Sequence, residues 1–108
     1  MVLIGRLDRE LPAAMPGFSQ LHKEADAAGA LPPKFKELMA LGIVVVIRCD
    51  NCIAYHVHDA LKARATHAEM METLGVAIMI GGGPATMYAC EALEALERFE
   101  ENNQAQYG

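Results

Sequence analysis

Two cysteines, one histidine and one glutamate stand at spacings that suit thiol chemistry. Cys49 and Cys52 enclose Asp50–Asn51, His56 follows four residues after Cys52, and Glu37 lies twelve residues before Cys49. On a helix, residues three, four and seven apart share a face. A helix beginning near Cys49 therefore turns Cys49, Cys52 and His56 the same way. The N-terminus of such a helix presents unpaired N–H groups and a positive dipole end, both of which favour thiolate over thiol. A neighbouring imidazole can take up the thiol proton. A thiolate beside a second thiol can attack a disulfide or a peroxide and then be resolved by its neighbour.

Two other readings of the cysteines stand beside this one. The pair could be inert, or Cys49, Cys52, His56 and His67 could form a nominal zinc set. The C-x2-C-x3-H-x10-H spacing is not that of a ββα finger, and three ligands on two successive helical turns fit a tetrahedral shell poorly. Neither a metal nor a cofactor is expected. Three cysteines form an odd, low count that does not suggest a secreted disulfide framework. In a reducing compartment a close pair is more often catalytic or metal-binding than structural.

The elements that must carry these residues read as helices. Met1 to Pro16, with Pro12 and Pro16, reads as irregular. Phe18 to Ala28 reads as a short helix stopped by Gly29. A longer helix starts at Pro33, since proline is tolerated in a first turn, and runs to about Arg48. Its segment Ile43–Val44–Val45–Val46–Ile47 has the propensity of a strand. With no second run of this kind to pair with, a lone strand could not satisfy its backbone, so the helical assignment is preferred. Asp50 or Asn51 can cap the next helix, to Arg64. Thr66 and Glu69 form a capping box that opens another, His67 to about Ile80. After a turn at Gly81–Gly83, Pro84 launches a last helix to about Glu101, and Asn102 to Gly108 is expected to fray. The expectation is a single all-α domain, residues 1–108, of five to six helices.

Composition narrows the partners. The net charge is −5, without a basic run, which excludes the phosphate-neutralising face that nucleic-acid binding needs. The N-terminus does not read as a signal peptide, and the uncharged stretch Thr73 to Cys90 is broken by glycines and a proline, so no membrane span and a cytoplasmic location are expected. Hydrophobic residues make up 53% of the chain, with nine glycines besides. That exceeds the roughly 45–50% of an average domain, glycine included. One small core cannot hide so much, and a subunit interface is expected. His58 and His67 are expected at a surface or interface, Cys90 as a small packed side chain, and the methionines as fillers of core and interface.

Glu37, eleven residues, Cys49-x-x-Cys52, three residues and His56 together resemble the signature of the carboxymuconolactone decarboxylase superfamily, in its alkylhydroperoxidase D-like branch. Arg48, Ala60–Leu61–Lys62–Ala63, Ala65–Thr66 with Glu69 and the Gly81–Gly83 turn resemble it too, so the likeness covers Lys34 to about Leu96. It implies an all-helical fold in homotrimers or homohexamers. It also implies a thiol-dependent peroxidase or disulfide reductase acting on a hydroperoxide or disulfide, re-reduced by a donor protein or small thiol. By position, Glu37 and His56 would relay protons, Cys52 would attack and Cys49 would resolve. The helix-dipole argument instead favours Cys49 as the more acidic thiol, and both assignments stay open. Full alkylhydroperoxidase D enzymes resemble two copies of this unit and carry a histidine where this chain has Asn51, which cannot titrate. The superfamily's decarboxylases share the fold without the cysteine pair, which favours redox chemistry over a lyase reaction.

Overall fold

Six α-helices make up the regular structure of the described residues, and no strand occurs among them. The structure is a computed structural model that describes residues 2–107, with side chains from 3 to 103. It divides into two compact units, Met1–Ala30 and Leu31–Gly108.

The first unit holds α1 (Val2–Glu10) and α2 (Ala14–Asp26). Both correct the expectation of an irregular segment up to Pro16. Pro12 does break the chain, between the two helices. Pro16 sits within the first turn of α2, where a missing N–H costs little because the first N–H groups of a helix have no partner within it. Leu3, Ile4 and Leu7 supply a helical apolar spacing in α1, and Arg6 Nε pairs with Glu10 Oε2 at 2.8 Å one turn away.

The second unit holds α3 (Pro33–Val46), α4 (Asp50–Lys62), α5 (His67–Gly81) and α6 (Gly83–Tyr107). Helices α3 and α6 each touch the other three, whereas α4 and α5 do not meet. The core follows helical periodicity. It takes Leu38, Leu41 and Val45 from α3, Ile53, Val57 and Ala60 from α4, Met70, Leu74 and Ala77 from α5, and Ala85, Ala89, Ala92 and Leu96 from α6. The alanine stripe keeps α6 close to its neighbours. Fully burying a side chain such as Leu41 or Ile53 contributes about 1.5–3 kcal/mol. Ile43 to Val46 are helical as expected, with Val44 and Val45 in this core.

The helix ends are tightly specified. Proline at the first position of α3 fits its fixed φ. At the other end, Arg48 N–H donates to Val45 O at 3.3 Å and Cys49 N–H to Val44 O at 3.0 Å, the Schellman pattern. Arg48 adopts φ 63° to make that turn. Arg64 at φ 72° repeats the motif after α4, where Arg64 N–H donates to Leu61 O and Ala65 N–H to Ala60 O. The capping box of α5 is present in both directions. Lys34 Nζ reaches Glu69 Oε2 at 2.9 Å, joining the starts of α3 and α5. The Thr66 backbone N–H, and then Lys34, hold the Glu69 carboxyl below its usual range.

Gly82, at φ 71° and ψ −152°, separates α5 from α6 in a region that essentially only glycine enters. The tail expected to fray from Asn102 remains helical to Tyr107, since nothing in 102–107 breaks a helix; Gly108 lies outside the described residues.

Candidate functional site

Cys49 is the joint between α3 and α4. Its N–H closes the end of α3 on Val44 O, while its C=O accepts from Cys52 N–H at 3.0 Å and Ile53 N–H at 3.2 Å, opening α4. Cys49 itself, rather than Asp50 or Asn51, is the N-cap residue. The reason is the Schellman turn, which fixes where α3 ends and leaves Cys49 as the first residue free to start the next helix.

Cys49 and Cys52 are joined by a disulfide, with Cα atoms 5.2 Å apart. Both are half-buried against the core. Once reduced, a thiolate on Cys49 would sit at the N-cap, where the first-turn N–H groups and the helix dipole stabilise an anion. Asp50, in the same first turn, opposes this with its own charge. Burial raises the Glu91 carboxyl on α6, as do its hydrogen bond to Asp50 and the charges of Asp50 and Glu94.

Glu37 is 5% exposed, the buried charged residue of the core. Its Oε2 lies 3.4 Å from His56 Nδ1, so the carboxylate on α3 meets the imidazole on α4 across nineteen positions. Tyr55 packs edge-on to the His56 ring, with centroids 5.4 Å apart. The pair combines a buried carboxylate with an imidazole whose Nδ1 is engaged.

Sequence reasoning missed Asp59. Its carboxylate, Glu37 and His56 form a trio of potential ligating groups whose atoms lie within 4.8 Å of one another. Asp59 follows His56 by three residues, a one-face helical spacing that the sequence displayed. Its Oδ1 also lies 3.2 Å from His58 Nδ1. The nominal zinc set is not gathered among the described residues: Cys49 and Cys52 are bonded to each other, and His67 is engaged by Glu100 at 3.0 Å. His58 is exposed as expected and packs its ring against Phe99. Cys90, expected to be packed, is a free, exposed thiol. The alanine stripe faces the core, and Cys90, one residue beyond Ala89, turns away from it.

Four packed helices carry a C-x-x-C disulfide at a helix start and a Glu–His pair one turn beyond, an all-α fold. The family model for carboxymuconolactone decarboxylases matches residues 12–95, and the chain belongs to the carboxymuconolactone decarboxylase family. It is 43% identical over 89 residues to an uncharacterized protein of Cupriavidus necator, covering 82% of this chain and 79% of that one. It is 32% identical over 97 residues to uncharacterized protein 4 in the cox locus of Paracoccus denitrificans, covering 90% and 87%. Among solved structures, a family protein from Legionella pneumophila in its apo form is similar at TM-score 0.88 and 45% identity, over 91% of this chain and 88% of that one. A family protein from Thermotoga maritima, described with a possible involvement in antioxidative response, is similar at TM-score 0.80 and 32% identity, over 84% and 94%. No helix among the described residues is long and apolar enough to cross a membrane.

Proposed function

We propose that this chain is a thiol-dependent peroxidase or disulfide reductase of the alkylhydroperoxidase D-like type, acting in the cytoplasm. The observation that carries the reading is the Cys49–Cys52 disulfide at the start of α4, with Glu37 held against His56 one turn further on.

In the reduced protein His56 Nε2 takes the proton of Cys52, and Glu37 stabilises the imidazolium through Nδ1–H. The Cys52 thiolate attacks a hydroperoxide oxygen. An S–O bond forms, the O–O bond breaks, and the departing alkoxide takes the proton from His56 to leave as an alcohol. The Cys49 thiol then attacks the Cys52 sulfenic acid. An S–S bond forms, the S–O bond breaks, and hydroxide leaves with the thiol proton as water. Two electrons and two protons from a dithiol protein or small thiol restore the pair. With a disulfide substrate, the same thiolate performs exchange without the sulfenic acid.

The roles of the two cysteines follow the family resemblance and the place of His56 one turn after Cys52. Steady-state reduction of tert-butyl hydroperoxide with dithiothreitol as donor tests the reading. Turnover is expected in the wild type and in Cys90→Ser, and none in Cys52→Ser. Equal turnover in Cys52→Ser and wild type would remove the assignment.

A further inference from the structure

Asp59 belongs to no step of the proposed redox cycle, yet it is placed against both relay residues. An oxygen of each carboxylate and a ring nitrogen of His56 lie within 4.8 Å of one another. His56 and Asp59 stand three apart on α4, a spacing that turns two side chains the same way, and Glu37 reaches them from α3. Helical bundles hold metal ions in this manner, with two ligands from one helix at that spacing and carboxylates from the facing helices. The side chains are 7% exposed at Glu37, 16% at His56 and 23% at Asp59. The set therefore grades from the core outward, which gives an ion a way in.

We propose that Glu37, His56 and Asp59 bind one divalent transition-metal ion, and that zinc suits them best. Three observations carry this. The first is separation. Glu37 Oε2 and His56 Nδ1 are 3.4 Å apart, longer than the roughly 2.7–2.9 Å of a charge-assisted hydrogen bond. The distance matches the edge of a tetrahedral zinc shell, about 3.3–3.6 Å for metal–ligand bonds of about 2.0–2.2 Å. Asp59, the most exposed of the three, can close on the same point by turning its side chain. The second is charge. Two carboxylates converge on one imidazole at the border of the core, where like charges repel, and a divalent cation between them balances both. The third is the donor set. One nitrogen and two oxygens leave a fourth position to water, as in zinc sites that stay open. The imidazole favours zinc over magnesium or calcium. His58 Nδ1, 3.2 Å from Asp59 Oδ1, stands where a donor behind a ligating carboxylate fixes its orientation. No sulfur takes part, so the set persists while Cys49 and Cys52 are joined. On the proposed redox reading, an ion here would hold the two groups that pass protons, so metal binding and thiol activation compete; the binding itself does not rest on that reading.

Calorimetric titration of zinc chloride into the oxidised Cys90→Ser protein tests the inference, because no thiol is then available to bind zinc. One Zn²⁺ per chain is expected. Asp59→Asn and Glu37→Gln, made in the same protein, are each expected to weaken binding at least about tenfold, the lower end of the loss caused by removing even a group that only supports a ligand. Asp59 lies outside the core, so Asp59→Asn keeps the test open should Glu37→Gln fail to fold. His67→Ala, which removes the histidine of the exposed His67–Glu100 contact, is expected to change nothing, as is excess magnesium chloride. No saturable binding, unchanged affinity in Asp59→Asn, loss of the site in His67→Ala, or displacement by magnesium would each overturn the proposal. None of these results decides whether the reduced cysteine pair turns over peroxide, so the two readings fail separately.

Discussion

His56 Nδ1 stands 3.4 Å from Glu37 Oε2, so the most deeply buried carboxylate among the described residues is aimed at an imidazole one helical turn beyond the cysteine pair. Burying a carboxylate is costly unless it is paired or hydrogen-bonded. The cost at Glu37 is offset by the His56 ring nitrogen 3.4 Å away, which can donate a hydrogen bond to the carboxylate.

Glu37→Gln keeps the shape and removes the basicity. Its Cys52 alkylation rate with iodoacetamide at neutral pH is expected to fall at least about tenfold, the lower range of general-base contributions. His56→Phe is expected to do the same, and the double variant to lose little more, because linked groups act as a unit. Wild-type rates across the pH range in Glu37→Gln would show that the carboxylate plays no part.

Arg48 holds a left-handed conformation, at φ 63°, directly before Cys49. Side chains in that region carry roughly 1–2 kcal/mol of strain, and β-branched ones suffer most. Arg48→Gly is expected to keep or raise the unfolding free energy, with the relief of strain partly offset by the greater freedom of glycine in the unfolded chain. Arg48→Val is expected to destabilise by about 1–2 kcal/mol. Chemical denaturation of the three proteins, all with the disulfide intact, checks the order. A Val variant as stable as the glycine variant would contradict it.

Glu91 is raised above its ordinary value of 4.5, first by burial and then by the hydrogen bond to and charge of Asp50. A carboxyl raised in the folded state disfavours its own ionisation there. Its penalty is absent below the unfolded value and grows as pH rises through the folded one. Glu91→Gln is therefore expected to raise the melting temperature at pH 7 and to leave it unchanged at pH 3. A gain of equal size at both pH values would mean that ionisation is not its source.

The helical class was legible because the rules that decide it are local or topological. Ile43 to Ile47 have strand propensity, yet the sequence offers no second such run to pair with, and Ile43 to Val46 pack as helix with Val44 and Val45 in the core. The Thr66–Glu69 box was legible because its two bonds lie within four residues. Other features depended on register in three dimensions. Cys49 became the N-cap because the left-handed turn at Arg48 ended α3 there, and non-glycine residues announce such turns weakly. The meeting of Glu37 with His56 required α3 and α4 to pack together, which the resemblance implied and the spacing alone did not. Asp59 was missed although it shares a face with His56, because a single acid three residues on is commonplace on an exposed helix. Cys90 was misjudged because an alanine-rich sequence looks buried all round, whereas only its 85–89–92–96 stripe faces inward.

The central claim is that Cys49 and Cys52 form a working dithiol rather than a structural or inert pair. Intact mass and free-thiol counts on the fully reduced protein, before and after one equivalent of hydroperoxide, test it most directly. The chain has three cysteines. Its free thiols are expected to fall to Cys90 alone, with a mass loss of about 2 Da as two hydrogens leave and recovery of all three thiols on adding dithiothreitol. Retention of every thiol, or a gain of oxygen without pairing of Cys49 and Cys52, would contradict the account.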